Sequence, residues 1–200
     1  MRLSKPCRLA LVFVALAAAG CGAPPVMTAA ELNASYDAAL DRTASMAVEL
    51  PGGDSQARAA LGRIQTLFTD PSPETVRAQV PAVYATAAYF NDNLTAIEGS
   101  EAIAEYLAHT VANIDGMGLE VLEVTNQGID YFARWRMTVR SARLNDGEPM
   151  VSYGVTQFRF DASGAVLVHR DFWDAGTGLY EHLPGLRGLL RRVRAAVLPD

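Results

Sequence analysis

The spacing of apolar residues changes near Gly118, and this change constrains the fold more than any other feature of the chain. Before it, apolar residues recur every three or four positions, as on one face of a helix. After it, apolar and polar residues alternate, which predicts strands at 119–125, 129–141, 150–160 and 165–173. The segments NQG, NDGEP and DASG between them are typical of hairpin turns. Helices followed by antiparallel hairpins predict an α+β fold.

Helical spacing predicts helices over 29–50, after Asp54 or Ser55, after Pro73, after Ser100 and over 183–197. The last of these has leucines and valines on one side and arginines on the other. We therefore expect N-terminal helices to pack on a curved antiparallel sheet, with a closing C-terminal helix. Such a sheet encloses a cavity.

The first twenty residues are typical of an export signal. Three basic residues, Arg2, Lys5 and Arg8, precede an apolar run over 9–19 that is too short to span a bilayer. The segment LAAAGC at the end of this signal resembles the lipobox of bacterial lipoproteins, which implies that Cys21 is lipidated and becomes the first residue. Ordinary cleavage near Ala23 is the alternative, and it would discard Cys21.

The chain divides into a lipoprotein-type signal peptide (1–20), a tether with an N-terminal helical extension (21–53) and a folded domain (54–200). We interpret the extension as a partly ordered spacer. The expected location is the cell envelope, with membrane attachment through the lipid on Cys21. Gly22 resembles the pattern that directs lipoproteins to an outer membrane, where the domain would face the periplasm of a Gram-negative cell.

Charge and composition exclude several functions. Removing the three basic residues of the leader takes the formal net charge from −5 to −8, which argues against nucleic acid as a partner. It also removes the only lysine, and with it Schiff-base chemistry and P-loop phosphate binding. The three histidines lack metal-ligand spacing, so we expect no metal and no cofactor.

The last predicted strand contains HRDFWD, in which ionisable residues lie between aromatic ones. Alternation puts Leu167, His169, Asp171 and Trp173 on one face. Buried ionisable groups need partners, so we expect one face of this strand to line a cavity with a few polar groups.

The order of the elements, together with YFNDNLTAIEGSEAIAEYL, WRM and HRDFWDAGTGLYEHLPGLRGLL, resembles the SnoaL-like branch of the NTF2-like superfamily over 55–194. The resemblance implies a cone-shaped α+β fold with an internal cavity, often dimeric through the outer face of its sheet. Members include steroid isomerases, polyketide cyclases, limonene epoxide hydrolase and binding proteins without chemistry, so the fold does not determine the function.

The local likeness is to limonene epoxide hydrolase. Tyr89 and Asn91 match its Tyr-x-Asn motif, and RDFWD matches its last motif, which puts Asp171 at the catalytic aspartate. In the Arg-x-Asp motif Arg134 matches the arginine, but Arg136 replaces the second aspartate. The resemblance therefore supplies one of the two carboxylates of that mechanism. It points His169, Asp171 and Trp173 into the cavity, and it gives no match for the steroid isomerase carboxylate, since Asp92 lies only near that position.

The strand over 129–141 can face the cavity in two ways. Simple amphipathicity puts Trp135 and Met137 inside, whereas the likeness to the hydrolase requires Arg134 inside. An unpaired buried arginine is costly, which favours the first. The predicted ligand-binding residues are Tyr89, Asn91, Trp135, Met137, Tyr153 and Trp173.

Three functions remain open. The first is binding of a small apolar molecule, lipid-like or polycyclic, in the cavity. The second is an isomerase, cyclase or hydrolase with Asp171 as general base and Tyr89 or His169 as its hydrogen-bonding partner. The third is an envelope interaction protein without chemistry. This third function would act through the outer sheet face and the basic C-terminal helix. A homodimer through the outer sheet face is a further expected partner.

Overall fold

A computed structural model describes residues 26–50 and 53–197. The predicted signal peptide and its lipidation site at Cys21 lie outside the described residues. No helix in the described ranges is both long enough and apolar enough to cross a membrane.

The described residues form six α-helices and six strands. In chain order they are α1 (Ala29–Thr43), α2 (Gly53–Leu67), α3 (Pro73–Val83), β1 (Tyr84–Asn91), β2 (Ala96–Glu98), α4 (Ser100–Val111), β3 (Gly116–Gln127), β4 (Asp130–Arg140), β5 (Met150–Phe160), β6 (Val166–Trp173), α5 (Ala175–Gly178) and α6 (Leu186–Val197). Short 3₁₀ turns occur at Asn145–Gly147 and Tyr180–His182. The α+β class is confirmed.

The strands form one mixed sheet in the order β2-β1-β6-β5-β4-β3. The four strands predicted from alternation are β3 to β6, joined as consecutive antiparallel hairpins. Two more strands, β1 and β2, lie beyond β6, and β1 runs parallel to β6. The sheet is thus antiparallel except for one pair.

The main core lies between the inner face of the sheet and helices α2, α3 and α4. Helix α2 contributes Ala57, Leu61 and Ile64, which its three- and four-residue spacing places on one side. The sheet contributes Phe90 and Phe158, both nearly inaccessible to solvent. This layer of helices on one face of a strongly bent sheet is what leaves room for a cavity.

Helix α1 packs on the outer face of the sheet, so it is not the loose spacer that the sequence suggested. Tyr36 donates a hydrogen bond to Gln157, and Arg159 donates to the main-chain oxygen of Leu40 at 2.6 Å. Ala39 is completely buried against β1 and β6. The helix begins with a capping box between Thr28 and Glu31 and ends at Thr43. It covers part of the face through which a homodimer was expected.

Candidate functional site

A cavity of about 260 Å³, partly open to solvent, lies between the inner face of the sheet and helices α2 and α4. Most of its wall is apolar. The sheet supplies Phe90, Trp135 and Met137, and α4 supplies Leu107. The polar groups in the wall are few and lie mainly on β5, β6 and the end of β1, which gives the cavity one polar side.

Strand β4 presents its apolar face to the cavity. Trp135 and Met137 line the wall, whereas Arg134 and Arg136 point outward. Each arginine faces an acidic residue of β3: Arg134 is 3.2 Å from Glu123 and Arg136 is 3.7 Å from Glu120. Of the two orientations that the sequence allowed, the amphipathic one is therefore present.

Asp171 is the acidic member of a hydrogen-bonded chain along the polar side of the cavity. Its Oδ1 accepts a hydrogen bond from the Thr156 hydroxyl and lies 3.0 Å from Nε2 of His169. Thr156 in turn accepts a hydrogen bond of 2.8 Å from the indole N–H of Trp135. Among the described residues, Oδ2 of Asp171 has no hydrogen-bond partner, and this oxygen is therefore free to meet a guest.

Tyr84 contacts the other ring nitrogen of His169. Its hydroxyl lies 2.8 Å from Nδ1 of His169, and burial, with the nearby charge of Asp171, raises the pKa of Tyr84 well above its ordinary value. The phenol therefore keeps its proton. In the His169 tautomer that carries hydrogen on Nε2, the phenol donates to Nδ1 and Nε2 donates to Asp171.

A second carboxylate, Asp92, also lines the cavity, directly after β1. Its Oδ1 accepts from the main-chain N–H groups of Leu94 (2.9 Å) and Thr95 (3.0 Å), and its Oδ2 accepts from the hydroxyl of Tyr106. Burial raises the pKa of Asp92, although these hydrogen bonds oppose the shift. Burial and the contact with Asp92 likewise raise the pKa of Tyr106. The sequence predicted only Asp171 as a site carboxylate, and the fold adds Asp92 from the loop that follows β1.

Tyr89 and Asn91 do not reach the cavity, contrary to the prediction. Phe90 points inward, so alternation turns its two neighbours to the outer face. There the Tyr89 hydroxyl lies 3.0 Å from the Ser35 hydroxyl, and it accepts a hydrogen bond of 2.8 Å from the Asn91 side-chain amide. Asn91 also accepts from Arg170 at 2.6 Å. These contacts join α1 and β6. The prediction that Tyr89 and Asn91 face the cavity as catalytic or ligand-binding residues is therefore wrong.

Tyr153 is also outside the cavity, with 60% of its surface exposed. It pairs with Arg136 across β4 and β5, and both lie on the outer face. The inward position beside it is Gly154, where a Cβ would collide with the ring of Trp135. The bulky indole thus occupies the space of the missing side chain, and the alternation pattern misled because the inward residue is a glycine.

Trp173 lines the cavity, as predicted, and its indole N–H donates to the main-chain oxygen of Asp92 at 2.8 Å. Five of the predicted site residues thus surround one cavity: Asp171, His169, Trp135, Met137 and Trp173. The prediction missed Asp92, Tyr106, Thr156 and Tyr84. Among the described residues, no group of three or more His, Cys, Asp or Glu side chains is placed to hold a metal.

Comparisons with known proteins agree with this architecture. Residues 72–169 match the family model of the SnoaL-like domain. Solved structures that resemble the chain include an LEH-like epoxide hydrolase of M. tuberculosis, with 16% identity and a TM-score of 0.53 over 73% of this chain and 96% of that one. No curated protein matches the chain.

Two further solved structures give the same result. One is a hypothetical protein of Catenulispora acidiphila with a ketosteroid isomerase-like fold, in complex with trimethylamine (15% identity, TM-score 0.54, 62% of this chain and 93% of that one). The other is TsrD of Streptomyces laurentii (13% identity, TM-score 0.54, 66% and 98%). At such identities the likeness concerns the fold alone. Residues 72–169 thus match a SnoaL-like domain, and the described residues have the NTF2-like fold.

Proposed function

We propose that this domain binds a small, mostly apolar molecule in its cavity. The observation that carries the proposal is the combination of an apolar wall with one unpartnered carboxylate oxygen, Oδ2 of Asp171. Binding sites for small molecules are typically of this kind, because apolar area supplies affinity and a few polar groups fix orientation.

The size and polarity of the cavity define the guest. A volume of about 260 Å³ lies just below the range of about 300–1,000 Å³ that is common for ligand pockets. It suits a compact apolar molecule, or one segment of a lipid chain, better than a large polycycle. The guest carries a hydroxyl or N–H group that donates to Asp171, since the carboxylate accepts hydrogen bonds when ionised.

The leader supports a second part of the proposal, namely that the domain is exported and attached to a membrane through lipidated Cys21. Mass spectrometry tests both parts. A denaturing spectrum of the wild-type protein, purified from membranes, will show a covalent lipid on Cys21. A native spectrum of Cys21→Ser protein will show a reproducible small molecule that is lost on denaturation. An empty native spectrum would contradict the binding proposal, and an unmodified Cys21 would contradict the anchor.

An enzyme that uses Asp171 as general base is the second candidate. It is favoured by the chain from Tyr84 through His169 to Asp171, which orients the carboxylate and leaves one oxygen free to take a proton from a guest. Asp92 and Tyr106 place a second proton-holding pair in the same wall. Isomerisation, cyclisation and hydrolysis all need such an arrangement of acid and base.

Asp171→Asn separates the two candidates once a guest is identified. If Asp171 is a base, the variant loses turnover by roughly 100-fold or more while it keeps most of its affinity for the guest, because the amide has nearly the shape of the carboxylate. If Asp171 only binds, affinity falls and the wild type shows no turnover to lose. Equal losses of affinity and turnover would count against a catalytic role.

A further inference from the structure

Helix α6 exposes an apolar stripe. Leu186, Leu189, Val193 and Val197 recur every three or four residues and so lie along one side of the helix. Their exposed fractions are 38, 57, 53 and 78%, and no residue of α6 is buried. A helix that only closed the fold would turn this side towards the core.

The other side of α6 holds it to the protein. Arg194 forms an ion pair with Glu181, and Arg187 donates to the main-chain oxygen of Glu181 at 3.2 Å. These contacts draw the polar side of the helix towards the 3₁₀ turn at Tyr180–His182, which follows α5. The four residues of the apolar stripe stay exposed beside these contacts, whereas the neighbouring Leu190 is partly buried.

The charge of α6 favours a lipid surface as the partner of the apolar stripe. The helix carries four arginines and no acidic residue, in a chain whose formal net charge is −5. Within the described part of the chain, Arg191 and Arg192 have no carboxylate within ion-pair distance. Two copies packed stripe to stripe would leave both cations unpaired, because Arg191 and Arg192 lie on the other side of the helix. An anionic lipid surface satisfies both the apolar and the cationic residues.

We propose that α6 lies on an anionic lipid bilayer, with its apolar stripe in the interfacial region and Arg191 and Arg192 among the headgroups. Arginine side chains can extend past an apolar face to reach phosphate, so the two kinds of contact form together. This surface does not depend on any guest in the cavity. It lies near the cavity in the chain, since Gly178 and Leu179 line the wall just before the turn that contacts α6.

A probe on the helix tests the proposal with the full chain. Both native cysteines are replaced by serine, and Val193→Cys is labelled with a fluorophore that shifts to the blue in an apolar environment. Vesicles of phosphatidylcholine alone are compared with vesicles that also contain phosphatidylglycerol. The leader is basic and is present in every sample, so the contrast between labels on the two sides of α6 is what reports this helix.

The label at Val193→Cys will shift to the blue with the anionic vesicles, while a label at Ala195→Cys, on the polar side, will not. Neutralising Arg191 and Arg192 with glutamine will weaken the anionic partition by roughly 30-fold, at about tenfold per 1.4 kcal/mol and about 1 kcal/mol per charge. Equal signals from both vesicle types would overturn the proposal. So would a blue shift that grows with protein concentration in the absence of vesicles, which would indicate a dimer.

Discussion

At the scale of single residues, Asp92 gives the domain a specific dependence on pH. Its pKa is raised in the fold because burial disfavours the charged form. The folded state therefore binds this proton more tightly than the unfolded chain does. The resulting stability is fully present below the ordinary aspartate pKa of about 3.9 and is lost as the pH rises through the higher pKa of the folded state.

Asp92→Asn removes this dependence. Asparagine can still accept hydrogen bonds from the N–H groups of Leu94 and Thr95, and it cannot ionise. We expect the free energy of unfolding of the wild type to fall, relative to the variant, as the pH rises above about 3.9. Urea unfolding of both proteins at several pH values measures this difference. Asp37→Asn on the exposed side of α1 controls for the loss of one charge, and parallel curves for wild type and Asp92→Asn would refute the prediction.

The sequence predicted the position of cavity residues correctly on the part of β4 where apolar and polar residues alternate. Trp135 and Met137 face the cavity because the neighbouring positions on the opposite side of β4 are Arg134 and Arg136. Tyr153 was misplaced because a glycine hides the inward position of β5. Tyr89 was misplaced by a motif match, which fixes the spacing of two residues but not the face on which they lie.

At the scale of elements, the four strands of the meander were predictable and the first two strands were not. β3 to β6 are long, rich in β-branched and aromatic residues, and bounded by turn sequences. β1 has the sequence YATAAYFN, whose three alanines do not favour strands, and β2 has only three residues. Pairing with β6 and with each other makes them strands, and such long-range pairing is not visible in local sequence.

The missing strands account for much of what the sequence analysis missed in the site. Asp92 and Tyr84 lie at the two ends of β1, so without this strand neither could be placed beside β6. Thr156, in contrast, could have been predicted from the sequence. It pairs with Asp171 across β5 and β6, and the position of the DASG turn could have indicated that pairing. Helix α1 was predicted as a helix, but its docking depends on side chains from several strands.

At the scale of the whole molecule, the cavity is a feature that stability alone would not maintain. Protein interiors are close-packed, and a void costs free energy because its lining lacks contacts. This domain keeps an apolar void of about 260 Å³ between its sheet and its helices. If the void exists to bind a guest, filling it with a side chain will raise stability and abolish binding together.

Thr110→Phe makes this test. Thr110 is a partly exposed residue of α4 in the cavity wall, and its hydroxyl only bonds back to the main chain of Tyr106. A phenyl ring there can enter the void. We expect a gain of about 1 kcal/mol, which for a chain of this size is a rise of about 2–4 °C in Tm.

The matched control is His109→Phe, at an exposed position one residue earlier on α4, which places a phenyl ring on the surface without filling the void. Differential scanning calorimetry measures Tm, and native mass spectrometry of the same proteins on a Cys21→Ser background measures retention of the guest. We expect Thr110→Phe to lose the guest and His109→Phe to keep it. A Thr110→Phe protein that kept the guest would place binding outside this cavity. If Tm fell and the guest was also lost, the phenyl ring would have disturbed the cavity wall. The loss of the guest would then not show that the void had been filled.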